Sequence, residues 1–181
     1  MPLLANIALF QVGWFACVLG AANGLGWAGS IAALTVAGLH LGFAHRPRLE
    51  MRLLLTAVVL GFAWDSFIAA AGLIAFKGGL TQTFAPQWIA ALWLVFATTL
   101  NVSLRWLRQR QWLSALFGAV GAPLAYYAGA RLGALSIPDP AIGLGAEALG
   151  WALLMPLLMR LATRFDGVAP RRVAEAVYVR P

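Results

Sequence analysis

The sequence predicts an all-α polytopic membrane protein, a bundle of six transmembrane helices with both termini cytoplasmic, and three observations predict it. Of 181 residues, 62% are hydrophobic and only 10% charged, with a mean hydropathy of +0.82, whereas a soluble domain carries about 25% charged residues. Apolar runs able to cross a hydrocarbon core of about 30 Å at about 1.5 Å per residue recur along the chain. Lys and Arg gather in alternate connections and in the tail, leaving mainly Lys77 and Arg131 on the other side. Since positive loops stay inside, this places both termini in the cytoplasm.

Leu3 to Ala22 is the first predicted span, and Asn23-Gly24-Leu25-Gly26 is a hairpin tip. The second span is Trp27 to Ala44, followed by a polar break with Arg46, Arg48 and Arg52 around Pro47. The third, Arg52 to Lys77, carries one charge near its middle, Asp65. Lys77 to Ala85 forms a loop with Gly78-Gly79 and, just beyond, Pro86. Gln87 to Leu104 is the fourth span, closed by Arg105, Arg108 and Arg110. The fifth runs from Gln111 to about Leu132 and the sixth from about Ala141 to Leu161, with Pro138 and Pro140 between them. Trp106 and Trp112 at one face, and Trp27 and Trp88 at the other, are placed as interfacial anchors. Trp14, Trp64, Trp93 and Trp151 lie deeper and are assigned to packing. The organisation is a six-helix domain over residues 1–164 and a basic cytoplasmic tail over 165–181. The first run lacks a basic n-region and leads directly into the next, so no cleavable signal is expected.

A net charge of +7 raises nucleic acid as a partner, but the 13 basic residues sit in loops and tail, with no basic face interleaved with aromatics; membrane lipids are the expected partners. One cysteine, Cys17, excludes an internal disulfide and a thiolate metal cluster. His40 and His45 stand five apart without a supporting ligand set except Glu50, so no metal is assigned, and the cofactor is unknown. No Ser-His-Asp order, Walker loop or dinucleotide fingerprint is present.

Asp65 is the residue of most interest, because a carboxylate at mid-membrane costs roughly 2.5 to 3.5 kcal/mol and must be compensated. Gly61, Ala69 and Gly72 share its helix face, so a neighbouring helix is expected to approach there. Counting residues from the span ends puts Tyr126, Tyr127 and Glu147 at the same depth, with Arg131 about one turn further out. Asp65, Glu147 and Tyr126 are therefore the candidate catalytic residues. Arg131, Tyr127, Gln11, Trp64 and Asn23 are the candidate binding residues, with Arg131 expected to neutralise the carboxylates. The alternative is that Asp65 is a structural carboxylate held by Tyr or Gln11. Gly121, Ala125, Gly129 and Gly133 form a ridge on the fifth span suited to close contact with a helix or a partner membrane protein. Asn6, Gln11, His40, Thr98, Asn101 and Arg105 form a second polar group toward the cytoplasm.

The stretches NIALFQVGWFACVLGAANG, GFAWDSF, PQWIAALWLVFATTLNVSLRWL, GAPLAYYAGARLGA and LGWALLMP together resemble a family of bacterial inner-membrane proteins known as domain-of-unknown-function family 2878. The resemblance covers the chain to about Leu161. It implies a compact six-helix protein, and a genomic association with fatty-acyl modification, including cyclopropane-type methyltransferases, that points to lipid metabolism. Three functions stay open: an enzyme or accessory subunit of lipid modification, a small-molecule transport or capture subunit, and a scaffold.

Overall fold

Helix α1 spans Leu3–Ala22, the bounds its apolar run predicts, and ends where Gly24 takes a φ of 76° to turn the chain. The computed structural model describes residues 1–79 and 83–169. Helix α2 is Gly26–Gly42 and α3 is Pro47–Ala70. Pro47 suits the first turn of α3, where its missing N–H would have had no partner. The third span thus starts earlier and ends sooner than predicted, because Gly72, at φ 70°, leaves the helix. Beyond it β1 (Ala75–Phe76) pairs antiparallel with β2 (Leu135–Ser136), an unpredicted contact that covers the end of the bundle opposite the termini.

Helix α4 is Gln87–Ala97, α5 is Gln111–Arg131 and α6 is Pro140–Arg164, with Asp139 capping α6 by accepting from the amides of Ala141 and Ile142. All six helices were expected. Four, α1, α3, α5 and α6, are long and apolar enough to cross a membrane. Large side chains such as Leu34, Val59, Leu149 and Leu153 point outward, at 65%, 67%, 73% and 77% exposure. Apolar surface on that scale marks a molecule that faces lipid rather than water.

The predicted fourth span is cut short. From Thr98 to Leu104 the chain runs as turns rather than helix, buried as far as Asn101 and half-buried beyond it. Irregular backbone at such depth must find partners inside the protein. Asn6 of α1, fully buried, supplies them: its side-chain amide donates to the Thr98 carbonyl at 3.1 Å, and its oxygen accepts from the Ser103 amide at 3.2 Å. Thr98 and Thr99 hydroxyls donate to the carbonyls of Val95 and Phe96.

Short α4 packs on α1, α2 and α3, while α6 joins α3 to α5. Glycines set the close crossings. A Cβ on Gly29 would lie 2.6 Å from the Cys17 Cα, and one on Gly118 would lie 2.4 Å from the Trp151 carbonyl oxygen. The buried face of α5 carries Gly118, Ala122, Tyr126 and Gly129. The predicted ridge is therefore displaced: Gly121 and Ala125 line a groove instead of meeting a helix. Trp88, expected as an interfacial anchor, is 2% exposed and donates to the Lys77 carbonyl. Residues 165–169 fold back on the α2–α3 connection, the Arg46 amide donating to the Gly167 carbonyl at 2.9 Å. The rest of the predicted tail, 170–181, lies outside the described residues.

Candidate functional site

Asp65, on α3, and Glu147, on α6, are both fully buried, and each is met by a tryptophan that a glycine admits. One turn before Asp65, a Cβ on Gly61 would stand 1.8 Å from the Trp93 ring. Glycine there lets the indole of α4 lie against α3, where its Nε1 donates to Asp65 Oδ2 at 2.5 Å. One turn after Glu147, a Cβ on Gly150 would stand 2.0 Å from the Trp64 ring. Trp64, next to Asp65 in the chain, then donates through Nε1 to Glu147 Oε2 at 3.0 Å. Tyr126 on α5 donates to Asp65 Oδ1. Trp151, one turn beyond Glu147, stacks on Trp93 with ring centroids 4.7 Å apart and planes 15° from parallel. Two buried atoms are left without a hydrogen-bond partner here, Glu147 Oε1 and Trp151 Nε1.

Among the described residues no Lys, Arg or His bonds either carboxylate. Arg131, expected to neutralise them, is exposed at the last turn of α5 and makes no ion pair with a described residue. The polarity of the layer rests on indole and phenol donors instead.

The layer adjoins an apolar groove of about 580 Å³. Phe10, Gln11 and Trp14 of α1 form one wall, Phe117, Gly121 and Ala125 of α5 the other, and Trp93, Phe96 and Trp151 the floor. Helices α1 and α5 do not pack closely, so the groove opens sideways between them past the exposed side chains of Ile7, Phe117 and Leu124. Its volume falls in the range of about 300–1,000 Å³ common for ligand sites. Tyr126 lines it too, and so joins the groove to Asp65.

Of the residues singled out in the sequence, the structure brings together Asp65, Glu147, Tyr126 and Trp64, with Gln11 across the groove. Tyr127 faces outward at 52% exposure. Asn23 is exposed and donates to the Leu19 carbonyl, closing α1. Sequence reasoning treated Trp93 and Trp151 as packing and so missed their part in the layer. A deep tryptophan needs a partner for its N–H, and that was the available signal.

A second polar cluster lies at the end of the bundle that carries the termini. Glu50, fully buried, has Oε1 at 2.8 Å from His40 Nε2, and its Oε2 accepts from Asn101 Nδ2 at 2.8 Å and the Gly167 amide at 2.9 Å. Arg108 donates to the Asn101 side-chain oxygen. Asp166 accepts from Arg105 and Arg108, each at 2.9 Å. Partial burial pulls the Asp166 carboxyl up, but the Arg108 hydrogen bond and the arginine charges pull it down harder, leaving it below the usual aspartate value. His45, exposed, meets the Val168 carbonyl instead of His40.

Over residues 3–157 the chain matches the family described as protein of unknown function (DUF2878), and it belongs to that family. No curated protein and no solved structure matches it.

Proposed function

We propose that this DUF2878 member is a bacterial inner-membrane protein of six spans that takes a lipid acyl chain into the groove between α1 and α5 and takes part in modifying it. It does so as an enzyme or as the accessory subunit of one. The observation that carries the reading is the groove itself, apolar along its walls, open toward the lipid-facing side, and bordered by Tyr126, which bonds a buried carboxylate. An acyl chain needs apolar walls, and chemistry on it needs a polar group at one point along them. Asp65 through Tyr126 supplies that point.

Charge supports the orientation. Arg46, Arg48, Arg52, Arg105, Arg108, Arg110, Arg160 and Arg164 lie at the end that carries the termini, and Lys77 and Arg131 at the other. That distribution favours both termini in the cytoplasm. Capture of a water-soluble molecule from outside is less well supported, because the β1–β2 pairing and Phe76, packed against Trp88 and Tyr126, cover the far end of the bundle.

The test is a lipid profile of a deletion strain complemented with wild-type or Asp65→Asn protein at matched levels. An acyl-chain change restored only by wild type is expected. An unchanged profile on deletion overturns the proposal, and rescue by both proteins removes Asp65 from the site.

A further inference from the structure

We propose that the groove between α1 and α5 is filled from the leaflet at the end that carries the termini, by an anionic phospholipid whose phosphate rests on Arg110 and Arg105. The inference rests on the acyl-chain reading and names the lipid that brings the chain.

The groove is not centred in the bundle. On α1 its lining begins at Ile7, one turn from the start of the helix at Leu3, and stops at Trp14, two turns short of Ala22. Across from α1 it reaches Ser103 and Leu104, which lead directly into Arg105. The Ser103 amide donates to the Asn6 side chain, which sets its level within the first turn of α1, about 5 Å inside the span. A headgroup region extends about 5–7 Å beyond the hydrocarbon core on each side. A lipid with its phosphate just past Leu104 therefore has its esters near Ser103 and its chain in the groove. Ser103 itself lines the groove and offers a hydroxyl to an ester carbonyl.

Charge at this end of the groove is complementary to such a headgroup. Arg110, Phe117 and Leu124 stand seven apart, and the Arg110 carbonyl accepts from the Ser114 amide at the start of α5, so the three fall on one stripe. Phe117 and Leu124 line the groove, and Arg110 is the foot of their stripe, exposed and without an ion pair to a described residue. Arg105 holds Asp166 yet keeps 44% of its side chain exposed. Trp106 and Trp112, both exposed, flank these arginines as interfacial anchors do. The stripe also reaches Arg131 at the other end, but there α1 no longer lines the groove and the β1–β2 pairing covers the bundle.

Native mass spectra of the full-length protein, released from nanodiscs of equal phosphatidylglycerol and phosphatidylcholine with identical chains, test the assignment. The wild type should retain phosphatidylglycerol in preference. Arg110→Gln should cut that preference about fivefold, the effect of one cation near a charged lipid surface, and Arg110→Lys should keep it. Arg48→Gln removes an exposed charge at the same end, from a helix that lines no part of the groove, and should leave the preference unchanged. Equal retention of both lipids by the wild type, an equal loss with Arg48→Gln, or a loss with Arg131→Gln in place of Arg110→Gln overturns the proposal. Gly121→Leu separates it from the acyl-chain reading. A Cβ there comes no closer than 4.0 Å to the Phe117 ring, so the larger side chain enters the groove and should expel both lipids. Retention unchanged by Gly121→Leu overturns the acyl-chain reading and this proposal with it. Expulsion by Gly121→Leu, with a preference untouched by Arg110→Gln, overturns this proposal alone.

Discussion

The two buried polar clusters are built to opposite rules. At the end that carries the termini, Glu50 is fully supplied with donors, and arginines bind Asp166 beside it. In the middle of the bundle, Asp65 and Glu147 have aromatic donors and, among the described residues, no cation. The first arrangement ties together α2, α3, the chain after α4 and the segment after α6. The second ties α3 to α4, α5 and α6 while leaving charge poorly offset beside a groove. Among the described residues each cluster leaves two buried atoms unpaired, His40 Nδ1 and Arg108 Nε in the first and Glu147 Oε1 and Trp151 Nε1 in the second. They differ in charge, since carboxylates offset by cations are what stability asks for and carboxylates without them are expected where a group must change its protonation.

The comparison is broken most sharply by Glu50→Ala, which strands buried donors from several segments. A loss of about 3–5 kcal/mol is expected, as for breaking a buried ion pair, read as the drop in unfolding midpoint in detergent. Gly61→Ala attacks the other cluster through packing. The new methyl meets the Trp93 ring, so a cost of about 1–3 kcal/mol is expected together with altered tryptophan fluorescence as the indole leaves Asp65. Asp166→Asn should cost about 1–2 kcal/mol, because the pair with Arg105 is solvent-exposed but the one with Arg108 is largely buried. Its sign with pH is fixed: the folded carboxyl lies below its unfolded value, so the contribution is complete above about pH 3.9 and fades as pH falls through the depressed folded value. Thermal melts of wild type and Asp166→Asn should converge in that acid range. The smallest stability change belongs to Asp65→Asn, near zero, since it removes an unpaired charge and keeps the shape. A large loss there would place Asp65 with Glu50 as a structural group.

Much of this was legible in the sequence, and unevenly so. The bounds of α1 follow from an apolar run between Pro2 and Asn23-Gly24, all local signals. Counting depth along each span put Asp65, Tyr126 and Glu147 on one level, where the structure brings them together. The end of α4 was not legible, because Thr98 to Leu104 holds no glycine or proline to stop a helix, and what permits the break is an asparagine 92 residues away. Arg131 misled for a simpler reason: depth fixes height but not direction, and its side chain leaves the last turn of α5 outward. The α5 ridge was displaced likewise, since small residues recur on two adjacent faces and only the neighbours decide which one packs. The pairing of glycine with tryptophan, Gly61 with Trp93 and Gly150 with Trp64, joins residues on different helices and has no local trace.

The asparagine on α1 also sets an order of assembly. Asn6 is made first, and the backbone it serves follows 92 residues later. At about 5–20 residues per second, that is a wait of roughly 5 to 18 s during which a polar amide sits in an apolar helix without its final partner. Until α1 docks, the Thr98 carbonyl and the Ser103 amide lack that partner too. The break after α4 can therefore reach its final hydrogen bonds only once α1 is in place beside it.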